Sequence, residues 1–547
     1  MNIELINIDG KLYLDESNEK NNRLLNKVPE LRVNDCEEAI TAVGSNGSFQ
    51  KLALVLLTIC YTCTGAFIIN AFVFFEKDPD ITCYNNITIP FTCTRPVACN
   101  KINNYTSIFH FKEDLSYSWT NDFKLECKDN YIISLFASLF FIGNMISTFT
   151  TASVSDFVGR AKIIKVSMIV RTFVLLFYIL ISNKYMTMLF LFIMGILNPM
   201  HSTIPYILIS EYLSHEERDD YMTLMFVTES FSGIFCTIFF FIYQHWKFYL
   251  YINLVYGLIF IFFSFLLYES PRFLYSQKRY DEAKEVFNKI AKFNGIQKQN
   301  IIFEKEEKEK QLLQENENIL DKQNPFEMID RLERLERIET KPSKEVKMDY
   351  SYKVLFDNIY LRKFIIILPF IWFLDAFAFF TINFMIKYLK GGVYLNNTII
   401  FISEVISYTI SSKLMELFGK RNTMIYSFII SGIAFFVFSL VDSNIYIIYV
   451  LVFFSKFGAS VILNVSSLYT NESFPTEVRG RATAICSFVG KLGGVFAPML
   501  VELPYPSLMA IVSGLLCFSA SLMLIPLENK PKKSVLVDNT DEITGIY

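Results

Sequence analysis

TNESFPTEVRGRATAICSFVGKLGGVFAPML, residues 470–500, joins a charged, Pro-containing loop to an apolar helix that carries Lys491 near its middle. Within a bilayer a lysine at that depth costs about 2.5–3.5 kcal/mol on insertion scales, so a cavity or a partner must compensate it. The stretch therefore predicts a membrane span that borders a polar interior. A lysine facing such an interior is a ready anion site.

The rest of the chain agrees. Its 547 residues are 52% hydrophobic and 16% aromatic, with 55 Phe and 30 Tyr. Mean hydropathy is +0.34. A soluble chain of this length would split into several domains with more polar surface. The net charge of −3 is too close to zero to argue for a nucleic-acid partner. The partners to expect are a lipid bilayer and a small solute.

A span needs about 20 apolar residues. Segments 51–75, 131–151, 162–182, 185–210, 221–243, 248–268, 361–386, 397–418, 422–441, 445–470, 480–501 and 507–527 satisfy this, six on each side of the polar stretch 269–358. The expected fold is an all-α membrane protein of twelve transmembrane helices in two pseudo-symmetric six-helix bundles, a parallel-repeat arrangement. Its parts are a tail over 1–50, a first bundle over 51–268, a charged helical linker over 269–358, a second bundle over 359–527 and a tail over 528–547. The polar first fifty residues and the long first apolar run do not fit a cleaved leader.

Loop 76–130 holds Cys83, Cys93, Cys99 and Cys127 beside the glycosylation sequons at Asn86 and Asn104. Both features suit an oxidising, outer side. Two disulfides are expected, and the sequence leaves all three pairings open. Zinc is the rival, but the close pair spacing and nearby histidines it usually uses are missing. An even number of spans then places both termini in the cytoplasm, with the plasma membrane as location. The inner loops are the richer in Lys and Arg, as the positive-inside rule requires. A further sequon at Asn396 would lie on the outer side, close to the bilayer.

Charges recur at the inner ends of spans. SVSDFVGRAK, 153–162, supplies Asp156, Gly159 and Arg160, and ELFGKR, 416–421, supplies Gly419, Lys420 and Arg421 at the matching place in the second half. Glu211 and Arg218 follow span 4, Glu269 and Arg272 follow span 6, and Glu472 and Arg479 follow span 10. Acids beside bases at these ends could close the inner face and separate as the halves rock. The bland alternatives are topology signals and energetically trivial surface pairs. In the central stretch, Ala283, Val286, Phe287 and Ile290 form one helical stripe. The Glu/Lys-rich run 303–347 reads as a solvated helix or disorder, with a docking site as the functional alternative.

These motifs together resemble the organic cation/anion/zwitterion transporter family of solute carriers, within the major facilitator superfamily. VGSNGSFQ before the first span, WTNDFKLECKDN at 119–130, and ESPRFLYSQKRYDEAKEVFNKIAKFNG at 269–295 are similar to its elements. So are Lys456, Asn464, Tyr469, Thr470, Glu472, Pro475, Thr476 and Arg479, and SVSDFVGRAK is similar to the superfamily's loop after the second span. Ala152, Phe157 and Ala161 depart from the loop pattern, and Ser455 stands where the family often has Gly. The resemblance implies transport of small organic ions by alternating access between the halves. It implies that the position of Lys491 tends to be acidic in cation carriers and basic in anion carriers, so this chain leans toward organic anions. Electrostatics says the same. It also implies an aromatic cavity wall from IWFLDAFAFFTINF, with Trp372, Phe377, Phe379, Phe380 and Asn383, for which helix packing is the alternative. Lys456 is a second buried base that is equally able to be structural. Another basic position of some anion carriers is Tyr408 here. Asp375, Glu404 and Glu229 are carboxylates within spans. Asp375 and Glu404 are the structural alternatives as partners of Lys491, and a protonatable carboxylate such as Glu229 could couple protons. His201 is a further polar group in span 4.

No phosphate-binding loop, zinc-protease motif or nucleophile elbow is present, so neither an enzyme nor a cofactor is expected. A sugar-type facilitator, an organic-cation carrier and a non-transporting receptor on the same fold are the competing readings. The coupling ion is not legible.

Overall fold

The computed structural model describes residues 5–8, 11–14, 30–311 and 356–528, apart from short gaps at 63–65, 78–81, 85–89, 93–98, 100–105, 109–117, 126, 129, 182, 298–299, 357–358, 442–443, 475 and 504–505. Eleven helices among these residues are long and apolar enough to cross a membrane. The first span is the twelfth, described as the helices Ser48–Tyr61 and Phe67–Phe75. The protein is a multi-pass, all-α membrane protein with a twelve-helix fold.

In chain order the helices used below are α1 (Cys36–Ala42), α2 (Ser48–Tyr61), α3 (Phe67–Phe75), α4 (Asn130–Val158), α5 (Arg160–Leu180), α6 (Lys184–Tyr212), α7 (His215–Ile242), α8 (Trp246–Phe263), α9 (Pro271–Ser276), α10 (Tyr280–Phe293), α11 (Ile359–Met385), α12 (Val393–Phe418), α13 (Lys420–Phe438), α14 (Ile445–Ser473), α15 (Thr476–Val501) and α16 (Pro506–Leu524). Several outrun the apolar stretch that predicts them. SVSDFVGRAK is expected as a loop, yet α4 continues through Asp156 and Phe157 to Val158. It breaks only at Gly159, and α5 starts at Arg160. Gly159 and its counterpart Gly419, between α12 and α13, have φ of 108° and 77°. That region suits glycine and strains other residues. The same break therefore recurs at the equivalent place in each half.

Among the described residues seven short strands, which the sequence pattern did not announce, lie in the polar segments. They are β1 (Leu5–Ile8), β2 (Lys11–Leu14), β3 (Glu30–Val33), β4 (Thr82–Tyr84), β5 (Pro90–Thr92), β6 (Thr106–Ile108) and β7 (Asn300–Phe303). β4 is the centre of an antiparallel sheet in the Cys-rich loop. β3 and β7 pair in parallel, tying the N-terminal tail to the central segment.

The chain divides into two compact units. The smaller comprises residues 1–52, 211–217 and 269–337. Within it, Asn294 binds both sides of the turn before the first span: its amide donates to Val43 O (2.9 Å) and Gly44 O (3.1 Å) and accepts from Phe49 N (2.8 Å). Two stretches about 250 residues apart in sequence, VGSNGSFQ and AKFNG, are thus one structural element. The stripe Ala283, Val286, Phe287 and Ile290 is buried here as the helical spacing predicts. Glu306 bonds Lys284 and Lys310, both at 2.6 Å. Burial works to raise its pKa, but the two ammoniums outweigh that and hold it below the usual carboxylate range. This contribution to stability is therefore present at neutral pH and is lost as pH falls through the lowered pKa. Burial pushes the Cys36 thiol up to about 12, so Cys36 stays protonated. Most of the run 303–347 lies outside the described residues; 304–311 is helical.

The larger unit comprises residues 53–210, 218–268 and 338–547. Its apolar core runs through both halves of the chain. The WTND element is a packing device within it. Trp119 is buried against Phe75 and Phe136, with ring centroids 4.8 and 5.1 Å away, and Asp122 accepts the Trp246 indole proton at 2.9 Å.

Cys99 and Cys127 form a disulfide. Cys93, Asn86 and Asn104 lie outside the described residues, as does the side chain of Cys83. With one bond assigned, the two-disulfide expectation leaves Cys83 with Cys93. Non-reducing peptide mapping is expected to recover both linked pairs, and free Cys83 and Cys93 in surface-delivered protein would contradict the second. Asn396 is fully buried and leaves no room for a glycan.

Candidate functional site

Polar side chains converge within the spans of the larger unit. Lys456, on α14 and fully buried, lies 2.7 Å from Glu404 on α12 and donates to Asn383 Oδ1 on α11 at 2.9 Å. Its Nζ sits 3.0 Å from the centre of the Phe379 ring, a close cation–π contact. Ser230 on α7 donates to Glu404 at 3.0 Å, so the network links the two halves of the chain. Glu229, one residue earlier, accepts from Tyr61 on α2 at 2.7 Å. A small cavity adjoins this network. Ile69, Asn70 and Val73 line it from the first half, and Phe380, Asn383, Phe384, Asn397 and Phe401 from the second.

Two charged groups in the region have no hydrogen bond or ion pair among the described residues. Lys491 on α15 is half-buried and free of both Asp375 and Glu404. Asp375 on α11 is 1% exposed, with Oδ1 buried and without a hydrogen-bond partner. The structural alternative for Lys491 therefore does not hold for Glu404, whose ammonium is Lys456. The span charges here are two ammoniums, Lys456 and Lys491, against three carboxylates, Glu229, Asp375 and Glu404.

The aromatic wall needs correction. Phe380 and Asn383 line the cavity and Phe379 covers Lys456. Phe377 does not join them: it is buried with Ala497 and Met509 inside the second half. Trp372 donates its indole proton to Thr470 at 3.0 Å, which fixes α11 against α14. On α11, Trp372, Phe379 and Asn383 stand near one face by helical spacing, and neighbours on other helices separate them. Tyr408 is buried against Phe226, and His201 is fully buried. Arg171, a buried span residue that sequence reading passed over, donates to Asn253 at 2.9 Å.

At the ends of spans 6 and 10 the charges pair otherwise than their sequence neighbours suggest. Arg272 bonds Glu37 on α1, and Leu213 O at 2.8 Å. Glu269 instead accepts from Ser270 N at 3.1 Å. Glu472 pairs with Lys420 across α14 and α13 at 2.5 Å, and Arg479 donates to Phe474 O at 3.4 Å. Asp156 and Arg160 bond each other across the Gly159 break at 2.8 Å. Glu211 stands at the end of α6, and Arg218 opens α7. Gly419 and Arg421 flank Lys420 at the start of α13. Proximity in sequence misled because helix ends meet residues from other helices and from the tail.

The opposite ends of the spans carry a cluster that the sequence reading missed. Lys387, just past α11, bonds Glu76 at the end of α3 at 3.0 Å, and it also bonds Glu502 just past α15. Tyr388 donates to Glu502 at 2.6 Å. All three charged side chains are nearly or fully buried. The available signal was three charges of both signs at the ends of spans 1, 7 and 11, which share a side by alternation.

Comparison with known proteins accords with this arrangement. The family model described as "Sugar (and other) transporter" matches residues 98–525. The chain belongs to the sugar (and other) transporter family. Among relatives of this family, the organic cation/carnitine transporter 2 of Homo sapiens is 23% identical over 513 residues, covering 86% of each chain. Solute carrier family 22 member 4 of Mus musculus is 24% identical over 519 residues, covering 86% of this chain and 87% of its own. The solved xylose transporter of E. coli in a partially occluded inward-open conformation superposes with a TM-score of 0.58 at 14% identity, covering 90% of this chain and 99% of its own. That likeness shows the major facilitator fold alone. The resemblance to the organic cation/anion/zwitterion carriers holds, and the protein is a membrane transporter of small molecules rather than an enzyme.

Proposed function

We propose that the protein carries small organic ions across the plasma membrane by alternating access, with both termini in the cytoplasm and Lys491 meeting a negative group of the substrate. The observation that carries this reading is the difference between the two span lysines. Lys456 is matched by Glu404, whereas Lys491 has no partner among the described residues. An unpaired ammonium at that depth is costly until an anion arrives. Phe380 and the amides of Asn383 and Asn397 supply the mixed apolar and polar surface that suits an organic ion. The supporting experiment is uptake of a labelled panel of aromatic carboxylates, quaternary ammonium compounds, zwitterions and glucose. Saturable uptake of carboxylates or zwitterions supports the reading, and uptake of glucose alone rejects it.

A second reading, transport of cations or zwitterions, is favoured by Asp375 and the excess of span carboxylates, and by relatives named for organic cations and carnitine. A zwitterion would place its two charges against Asp375 and Lys491.

Glu76–Lys387 joins the first and second halves at the outer ends of their spans, so outward opening must break it. Removing one partner of a buried pair costs about 3–5 kcal/mol. Glu76→Gln is expected to favour outward-open states and raise labelling of a cysteine placed at Val73 by a membrane-impermeant maleimide several-fold. Unchanged labelling at equal surface expression would remove Lys387 from gating.

A further inference from the structure

The cavity beside the Lys456 network has a fixed hydrogen-bonding polarity. Thr237 donates its one hydroxyl proton to Gly233 O at 2.9 Å, so it can only accept from Asn397, whose Nδ2 lies 2.8 Å away. The Asn397 carbonyl oxygen is therefore left over. Lys456 has only protons to give, so the oxygen of Asn383 faces it at 2.9 Å and the Asn383 amide protons are left over. Both residues line the same cavity, walled by Phe380, Phe384 and Phe401 and closed from the first half by Asn70. The space holds about one water-sized group. The donor on Asn383 and the acceptor on Asn397, each locked by its neighbour, face a space of that size within aromatic walls, and the third amide of the lining, Asn70, donates to Ser232 at 3.5 Å.

We propose that Asn383 and Asn397 form a subsite for a hydroxyl group on the transported ion, a reading that rests on the organic-ion function above. A hydroxyl accepts from Asn383 and donates to Asn397. A methyl group in the same place leaves both amides unsatisfied, which is the stronger source of discrimination. The subsite draws its walls from both halves, so it is complete only when they close on the substrate.

The test uses purified full-length protein and two matched pairs of probes, choline against ethyltrimethylammonium and 4-hydroxybenzoate against benzoate. Affinity is read by ligand-induced thermal shift and by competition of uptake. The wild type is expected to bind the hydroxylated member of the accepted pair on the order of tenfold more tightly. In Asn397→Leu that ratio is expected to fall to about one, mainly through loss of the hydroxylated probe, because the deoxy member makes no use of the Asn397 oxygen. Because the wild-type ratio needs no variant, misfolding of Asn397→Leu leaves the test intact. Equal affinities within both pairs overturn the subsite, as does failure of both hydroxylated probes to bind while other organic ions are carried; either leaves the transport function standing. If no charged compound binds or moves at all, the transport function falls and the subsite with it.

Discussion

Lys491→Asp is expected to abolish uptake of organic anions and to admit cations, because the substitution reverses the sign of the charge facing the substrate. The residue sits about eleven residues into its span, roughly 16 Å deep at 1.5 Å per residue, near the bilayer midplane. Lys491→Ala should weaken anion binding without preventing folding, since no carboxylate among the described residues is left unpaired by its loss. The two variants are compared at equal surface expression by uptake of a labelled aromatic carboxylate and a labelled quaternary amine. Normal anion transport by Lys491→Ala would remove Lys491 from the substrate site and leave the cation and sugar readings open. Poor surface expression of Lys491→Ala, restored by neutralising Asp375, would assign Lys491 a structural role instead.

The second large effect concerns folding. Lys456 and Glu404 are almost wholly buried, and each is the other's counter-charge. Glu404→Gln strands an ammonium among α11, α12 and α14, with an expected loss of about 3–5 kcal/mol. Replacing both residues, as Lys456→Met with Glu404→Gln, removes both charges together and should recover most of that stability. Thermal denaturation of the purified variants in one detergent measures the difference. Additive losses in the double variant would mean that the two side chains are not energetically coupled.

The fold was legible because a span is a local property. Apolar length alone located the helices, and the matched glycine breaks at Gly159 and Gly419 reported the internal repeat. The paired turns at VGSNGSFQ and AKFNG were visible as separate motifs, but only the structure brings Asn294 to Phe49. The site was legible in part. Asn383, Phe379 and Phe380 were named through the family resemblance, which cannot see that Phe377 turns into the second half's own core. Charge pairing was the least legible, because it depends on which helix ends meet. Arg272 finds Glu37, some 235 residues away in sequence, and passes over Glu269. Lys387 reads as an ordinary loop lysine until Glu76 and Glu502 are seen around it.

Purified protein in sealed liposomes, loaded on one side with unlabelled organic ion, gives the most direct measurement of the central claim. Counterflow of the same labelled ion against empty liposomes separates a carrier from a receptor. The account predicts saturable accumulation of a charged organic compound by the wild type and none by Lys491→Asp for an anionic compound. Binding of the compound without counterflow, or counterflow of glucose alone, would contradict it.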